Sequence, residues 1–379
     1  MSPGAQAAID VRALGHRRDH RPITRMGDAT ATFQSMPHGL PLLPTTVVGS
    51  YAHPSWFYAA KELMEADRFG PVDIEETFDD AVDRAILDQE QAGLDVISDG
   101  EMRRASFVWA FASRMTGLRD GGAPRKMGPM SLDMRNVQET IGPVGVPHGM
   151  GAVEEFAYAS TRTSTPIKIP LPGPFALTTF IRPVDYYTDR THLAEAFVPA
   201  LNHEIRQLAA AGCKWIQLDE PATPGYAAND PHTAADIARL FNACIEGVTG
   251  VHFSLHICFG SFRKLPYAKK TYARYFPDLL EAKADQFVLE YGTREMSEIE
   301  QWMNWAPDRE LGAGIIDIRT HYCETPDDVA ERVRKCLDHV PADKLFLTTD
   351  CGLRYVHRTL ARQKITNLVA GVRQVRETL

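Results

Sequence analysis

Cysteine is scarce in this chain: six residues among 379, at positions 213, 244, 258, 323, 336 and 351. So thin a set builds no disulfide framework, which points to a reducing, cytoplasmic compartment with thiols free or metal-bound. Long hydrophobic runs are missing too. Nothing approaches the ~20 apolar residues of a membrane span, and no secretory signal is visible. Positive charge is short, with 41 Lys and Arg against 49 Asp and Glu. The resulting net charge of −8 argues against nucleic acid as the main partner. The Gly-rich turn of a nucleotide-binding sheet is absent, since Gly49-Ser-Tyr-Ala-His-Pro54 is no G-x-G-x-x-G. What is present is globular: 44% hydrophobic and 24% charged residues.

Residues 1–36 read as a flexible tail, polar and basic around Gly15-His-Arg-Arg-Asp-His-Arg21, with Asp10, Asp19 and Asp28 speaking against a transit peptide. Residues 37–379 read as one domain. Its apolar runs begin at 44–50 and 94–98, and continue at 167–171, 215–218, 251–256, 287–290, 311–318 and 345–348. Helical periodicity separates most of them, at 74–91, 193–211, 234–247, 276–284, 296–305, 326–339 and 360–377. Strands apolar on both faces and alternating with helices indicate a parallel sheet covered by helices. Eight such units predict an α/β fold, a (β/α)8 TIM barrel, with an open doubly wound sheet as the alternative. The pattern lapses over 117–165, predicting an insertion after the second strand with its own hairpin, a candidate lid.

In such a barrel the chemistry sits at the C-terminal strand ends. Those ends carry Gly49 and Ser50, Glu101, Asp219 and Glu220, His256-x-Cys258, Glu290, Asp317-x-Arg319, and Asp350-Cys351. His256 and Cys258, two residues apart on an extended chain, point to the same side. Together with Glu290 and Cys351 they offer one nitrogen, two thiolates and a carboxylate, a donor set suited to tetrahedral zinc. A cysteine in a reducing compartment is more often a small buried hydrophobe, and Cys213, Cys244 and Cys336 are read that way.

His256-x-Cys258, Glu290 and Thr349-Asp-Cys351-Gly-Leu353 resemble the zinc-binding C-terminal barrel of the cobalamin-independent methionine synthase family. So do Val48-Gly-Ser50, Gly100-Glu101 and Leu218-Asp-Glu-Pro221, in the same order. The resemblance covers roughly 44–379. It implies an S-methyltransferase with Zn2+ on His256, Cys258, Glu290 and Cys351, and a homocysteine-like thiol as acceptor. Gly49, Ser50, Glu101 and Asp219 would hold the amino-acid end, while Asp219, Asp317 and Arg319 form the catalytic set.

The chain departs from the family pattern on the donor side. It has no room for the second, N-terminal barrel of the full-length synthases. Arg319 stands where the family places a histidine as proton donor, with His321 two residues on. Arginine stays protonated and is a poor general acid but a good anion clamp. Gly173-Pro-Phe-Ala-Leu-Thr-Thr-Phe180 lacks the tryptophan that packs against a pterin. The donor expectation is therefore a methyl folate or a methylcorrinoid, the latter free or on a corrinoid protein. Two alternatives stand beside methyl transfer. One is a zinc thiol transferase of the epoxyalkane:coenzyme M type, and the other is a non-catalytic zinc-stabilised barrel. The basic connection with Arg263, Lys264, Lys269, Lys270 and Arg274 reads as a solvated loop.

Overall fold

In chain order the strands are Thr116–Asp120 (β1), Gln138–Gly145 (β2), Lys168–Pro172 (β3), Ile181–Arg182 (β4), Trp215–Asp219 (β5), His252–Ile257 (β6), Gln286–Glu290 (β7), Glu310–Ile316 (β8) and Leu345–Thr349 (β9). The computed structural model describes residues 39–379 apart from 105–108, 122–136, 222–232, 262–265 and 267–269. The 1–36 tail lies outside the described residues, as do Arg263, Lys264 and Lys269 of the basic connection.

Six strands form one parallel sheet in the order β3-β5-β6-β7-β8-β9. Two short extended segments close it into a ring. Thr45 bridges Leu347 in parallel, and Ile97 bridges Ile167 in parallel. Between the two segments, the Asp95 and Val96 N–H groups donate to the Thr45 carbonyl at 3.0 and 3.1 Å. The first two predicted strands are therefore real members of an eight-part barrel, but each is too short to form a regular ladder. The other six match their predicted positions to within a residue or two.

The long helices are Ser55–Glu65 (α1), Pro71–Ala92 (α2), Ala152–Arg162 (α3), Arg190–Ala210 (α4), Thr233–Ile245 (α5), Pro326–Leu337 (α6) and Arg358–Arg376 (α7). Their ends follow local chemistry. α2 starts with Pro71 at its first position, and the Gly70 N–H is capped by Asp73 at 2.9 Å. It stops at Gly93 in the left-handed conformation (φ 85°). α6 opens on a reciprocal Thr325–Asp328 capping box.

Three local expectations need correction. The helix predicted at 276–284 is a single 3-10 turn, Asp278–Glu281, because Phe276 is committed to stacking on Trp305 at 4.7 Å. The one predicted at 296–305 is broken into the turn Ile299–Gln301 and the short helix Trp302–Trp305. There Met296 and Glu298 hold positive φ, and Glu298 accepts from the Thr271 hydroxyl (2.6 Å) and the Tyr272 N–H (2.9 Å). Tertiary hydrogen bonds override the helical period. α1 was not predicted at all.

The insertion does carry its own hairpin: β1 and β2 pair antiparallel, and β2 adds β4 in parallel. The same stretch also contains α3, the helix that precedes β3, so it supplies a barrel helix as well as an excursion. Inside the ring, Trp215 stacks on His252 at 4.1 Å and packs with Leu40, Val96 and Phe346 as a separate small cluster. Further along the same face of β5 come Gln217 and Asp219, so that face turns polar toward the C-terminal mouth. No helix among the described residues is long and apolar enough to cross a membrane.

Candidate metal centre and thiol site

β5 and β6 pair in register with Asp219 opposite His256, which puts both side chains at one level of the barrel mouth. His256 Nδ1 lies 3.0 Å from Asp219 Oδ1, and the Gln217 amide donates to that same oxygen at 2.6 Å. Burial opposes charge on the His256 ring, but the Asp219 hydrogen bond and charge outweigh it and raise its pKa. With Nδ1 taken, Nε2 is left buried and without a hydrogen-bond partner among the described residues. A carboxylate holding one ring nitrogen while the other faces a cluster of thiols is the orientation a metal-binding histidine needs.

The thiols are Cys258, just past the end of β6, and Cys351, two residues past β9. Their sulfurs are 3.3 Å apart. His256, Cys258 and Cys351 are all buried, with their ligand atoms within 4.8 Å of one another, and they form the three-donor cluster found among the described residues. Burial pushes the Cys258 thiol well up. Cys351 is held down to about 6 by the bond from Cys258, against its own burial and with help from His256, the Ser261 hydroxyl at 3.2 Å and Arg319. The Gly260 N–H also points at Cys258 Sγ, at 3.4 Å. A divalent cation here would favour the deprotonated form of both sulfurs. The orphaned imidazole nitrogen and paired sulfurs fit a zinc-type donor set.

Glu290 is at the end of β7, fully buried beside this cluster, but not one of its three converging donors. Arg319 binds it with both terminal nitrogens, Nη1 to Oε1 at 2.5 Å and Nη2 to Oε2 at 2.9 Å. Asp317, also expected in the catalytic set, accepts the Arg319 N–H at 2.7 Å and so shapes the loop that delivers the arginine. His321 is exposed on that loop.

The residues expected to hold the amino-acid end also gather at the mouth. Glu101 has a positive φ of 54°, unusual for a side-chain-bearing residue and a conformation kept where a site demands it. Its carboxyl is buried, with Oε1 3.6 Å from Arg104 and Oε2 without a hydrogen-bond partner among the described residues; burial raises its pKa to about 7 against the pull of Arg104 and Arg354. Gly49 lies directly beneath it: a Cβ there would come within 2.7 Å of Glu101 Oε1 and 2.8 Å of Pro170. Ser50 sits over Gly352, where a Cβ would be 2.0 Å from its hydroxyl oxygen. Glu220 faces away, accepting the Phe175 and Ala176 N–H groups at 3.0 and 2.8 Å. It secures the Gly173-Pro174 turn.

Sequence reasoning missed several supports. Gln217 buttresses Asp219, a role hinted at only by its i−2 position on the same strand face. The Tyr272 hydroxyl donates to the Ile257 carbonyl (2.9 Å) and accepts from the Glu290 N–H (2.8 Å), joining β6 to β7 next to the cluster. Asp350 accepts the N–H groups of Gly292 and Thr293 at 2.7 and 2.6 Å, tying the segment after Glu290 to the segment carrying Cys351. Cys213, Cys244 and Cys336 are buried in the core, and partly exposed Cys323 accepts a long 3.7 Å contact from Asn367.

Comparison with known proteins gives a consistent picture. Residues 43–374 match the family described as cobalamin-independent synthase, catalytic domain. Methionine synthase of Saccharolobus solfataricus is 34% identical over 344 residues, covering 90% of this chain and 97% of that protein. Methionine synthase of Sulfurisphaera tokodaii is 34% identical over 348 residues, covering 90% and 94%. Among solved structures, a B12-independent methionine synthase from Shewanella sp. W3-18-1 in complex with selenomethionine superposes with a TM-score of 0.76. It is 27% identical and covers 89% of this chain and 98% of that one.

Proposed function

The chain belongs to the cobalamin-independent methionine synthase family, and from that premise we propose that it methylates homocysteine to methionine at a zinc ion held by His256, Cys258 and Cys351. The observation that carries the reading is the convergence of those three buried donors, with Asp219 fixing the imidazole, at the mouth of the barrel. Three protein donors, two from the end of β6 and one from just past β9, suit an open, working site better than the closed four-cysteine or histidine knuckles of structural zinc. When bound, the cation would stabilise the deprotonated, nucleophilic form of the substrate thiol at neutral pH.

The surrounding side chains then have definable tasks. Asp219, through His256 Nδ1, holds the ring so that Nε2 points into the cluster. The Ser261 hydroxyl and the Gly260 N–H hydrogen-bond the two cysteine sulfurs, so their charge is partly offset by the protein. Glu101 and Ser50 would receive the ammonium and carboxylate of the amino acid, with Gly49 leaving room for the Glu101 side chain. Asp317 positions the Arg319 loop. Both terminal nitrogens of Arg319 are engaged by Glu290, and Nη2 also by the Gly260 carbonyl, which weighs against its serving as a sulfonate clamp for coenzyme M. The methyl donor proposed is a methyl folate, with a methylcorrinoid as the second arm of the assay. Six unpaired cysteines suit a reducing cytoplasm.

The test is a substrate panel on zinc-loaded protein: homocysteine or coenzyme M against methyltetrahydrofolate, methylcobalamin or a short epoxide. Methionine should form from homocysteine with at least one methyl donor. Failure of homocysteine with both methyl donors, alongside turnover of another thiol, would overturn the reading.

A further inference from the structure

A cavity of about 330 Å³ lies between α2, the short helix Trp109–Ala112 and α3, outside the metal centre. Its volume is that of a small-molecule cleft. Phe111 and Met150 are buried in its wall, and the Tyr158 ring adds a third apolar surface. Arg104 and Glu155 form its buried ion pair: Nε and Nη2 of the arginine reach Glu155 Oε2 at 3.1 and 2.7 Å. Arg103 is paired with Asp79. Arg114, Glu75 and Glu154 also line the cavity, are exposed, and have no ion-pair partner among the described residues. Arg114 is seated nonetheless. Its Nη1 leans toward the Gly149 carbonyl at 3.5 Å, and its guanidinium lies so close over Gly151 that a Cβ there would be 2.7 Å from Cζ.

Charges of both signs around an apolar wall suit a ligand that carries both signs itself. A purely anionic molecule would meet Glu75 and Glu154, and a purely cationic one would meet Arg114. An ammonium and a carboxylate on one short apolar chain satisfy all three. Arg104 also belongs to the thiol site. Its N–H donates to the Glu101 carbonyl at 3.1 Å, and Nη1 stands 3.6 Å from Glu101 Oε1 with no hydrogen-bond partner among the described residues. We propose that the cavity binds a free α-amino acid with an apolar side chain, and that its occupancy weakens homocysteine binding through Arg104 and Glu101. A ligand ammonium beside Glu154 and Glu155 competes with Arg104 for the Glu155 carboxylate. Arg104 then turns more of its charge to Glu101, which is less available to the substrate ammonium. By linkage, homocysteine weakens the cavity ligand by the same factor. The coupling, though not the binding, rests on the reading that Glu101 receives homocysteine.

The experiment uses the zinc-loaded wild type beside Arg114→Glu and Arg114→Lys, which alter an exposed side chain outside the metal and thiol sites. Crystals soaked with L-selenomethionine locate the selenium by anomalous scattering. Homocysteine kinetics with and without L-norleucine, which has no sulfur to offer the metal, read the coupling. Wild-type crystals should show selenium in the cavity, whether or not another peak lies at the metal centre, and Arg114→Glu crystals should lack the cavity peak. At one norleucine concentration, the rise in KM for homocysteine should be at least about fivefold larger in the wild type than in Arg114→Glu. Arg114→Lys keeps the charge and should stay close to the wild type. An empty cavity in soaked wild-type crystals would overturn the proposal. So would an equal norleucine effect in the wild type and Arg114→Glu, which would be competition at the thiol site alone. The selenium position is read without turnover. Failure of the homocysteine reading shows instead in the substrate panel, so the two failures are distinguishable.

Discussion

Asp219 Oδ1 and His256 Nδ1 are 3.0 Å apart on neighbouring strands, directly opposite in register. The pair converts an ordinary buried histidine into one with a single available nitrogen, aimed at Cys258 and Cys351. Asp219 was expected to bind substrate; its observed contacts give it an orienting task as well.

Replacing that carboxylate should therefore damage the metal site before it damages the fold. Asp219→Ala is expected to weaken zinc affinity by about 10- to 100-fold, the range typical of lost outer-shell partners. Competition with a chromogenic chelator measures it, and unchanged affinity would remove Asp219 from the metal centre.

Gly49→Ala probes the thiol end separately. The new methyl would intrude on Glu101 Oε1 at 2.7 Å and on the Pro170 ring at 2.8 Å, so the Glu101 carboxyl must shift. The expected outcome is a KM for homocysteine raised by about tenfold or more with zinc content unchanged. Steady-state kinetics on metal-saturated protein decides it.

Lys168 gives a pH-dependent prediction. Its amine is buried in β3 with no hydrogen-bond partner among the described residues, and burial, only partly countered by Asp219, lowers its pKa from 10.5 to about 7. Below pH 7 the amine is charged folded and unfolded, and the folded state bears the full cost of burial. Between about 7 and 10.5 the folded amine is neutral while the unfolded one still binds a proton, so its contribution to stability rises with pH. Lys168→Met should stabilise the protein by a few kcal/mol near pH 6, a gain that shrinks steadily toward pH 10. Paired denaturant titrations across that range measure the difference; a gain independent of pH would contradict the account.

The barrel and three of the four expected donors, His256, Cys258 and Cys351, were legible because they depend on local pattern. Apolar runs such as Trp215-Ile-Gln-Leu218 announce buried parallel strands, and His256-x-Cys258 places two donors on one side of a chain end without any knowledge of tertiary structure. What escaped depends on register and side-chain reach between distant segments. The Tyr272 bridge, the Asp350 contacts to 292–293 and the fork of Arg319 on Glu290 join residues 18, 58 and 57, and 29 positions apart. No periodicity encodes them. The 296–305 segment misled for the same reason, since its helical pattern lost to the hydrogen bonds of Glu298 with 271–272. α1 was hidden because its three aromatic positions, Trp56, Phe57 and Tyr58, are consecutive rather than periodic, and two of them are exposed.

The claim that the centre works on the substrate, and is not merely a structural clamp, is tested most directly by removing and restoring the metal. Zinc would be stripped with a chelator, the fold followed by circular dichroism, and methionine formation followed before and after adding back about one equivalent of zinc. The account predicts a barrel that survives stripping, turnover that disappears with the metal and returns with it, and no such recovery in Cys351→Ser. Methionine formation that persists without metal, or a barrel that unfolds when the metal leaves, would contradict it.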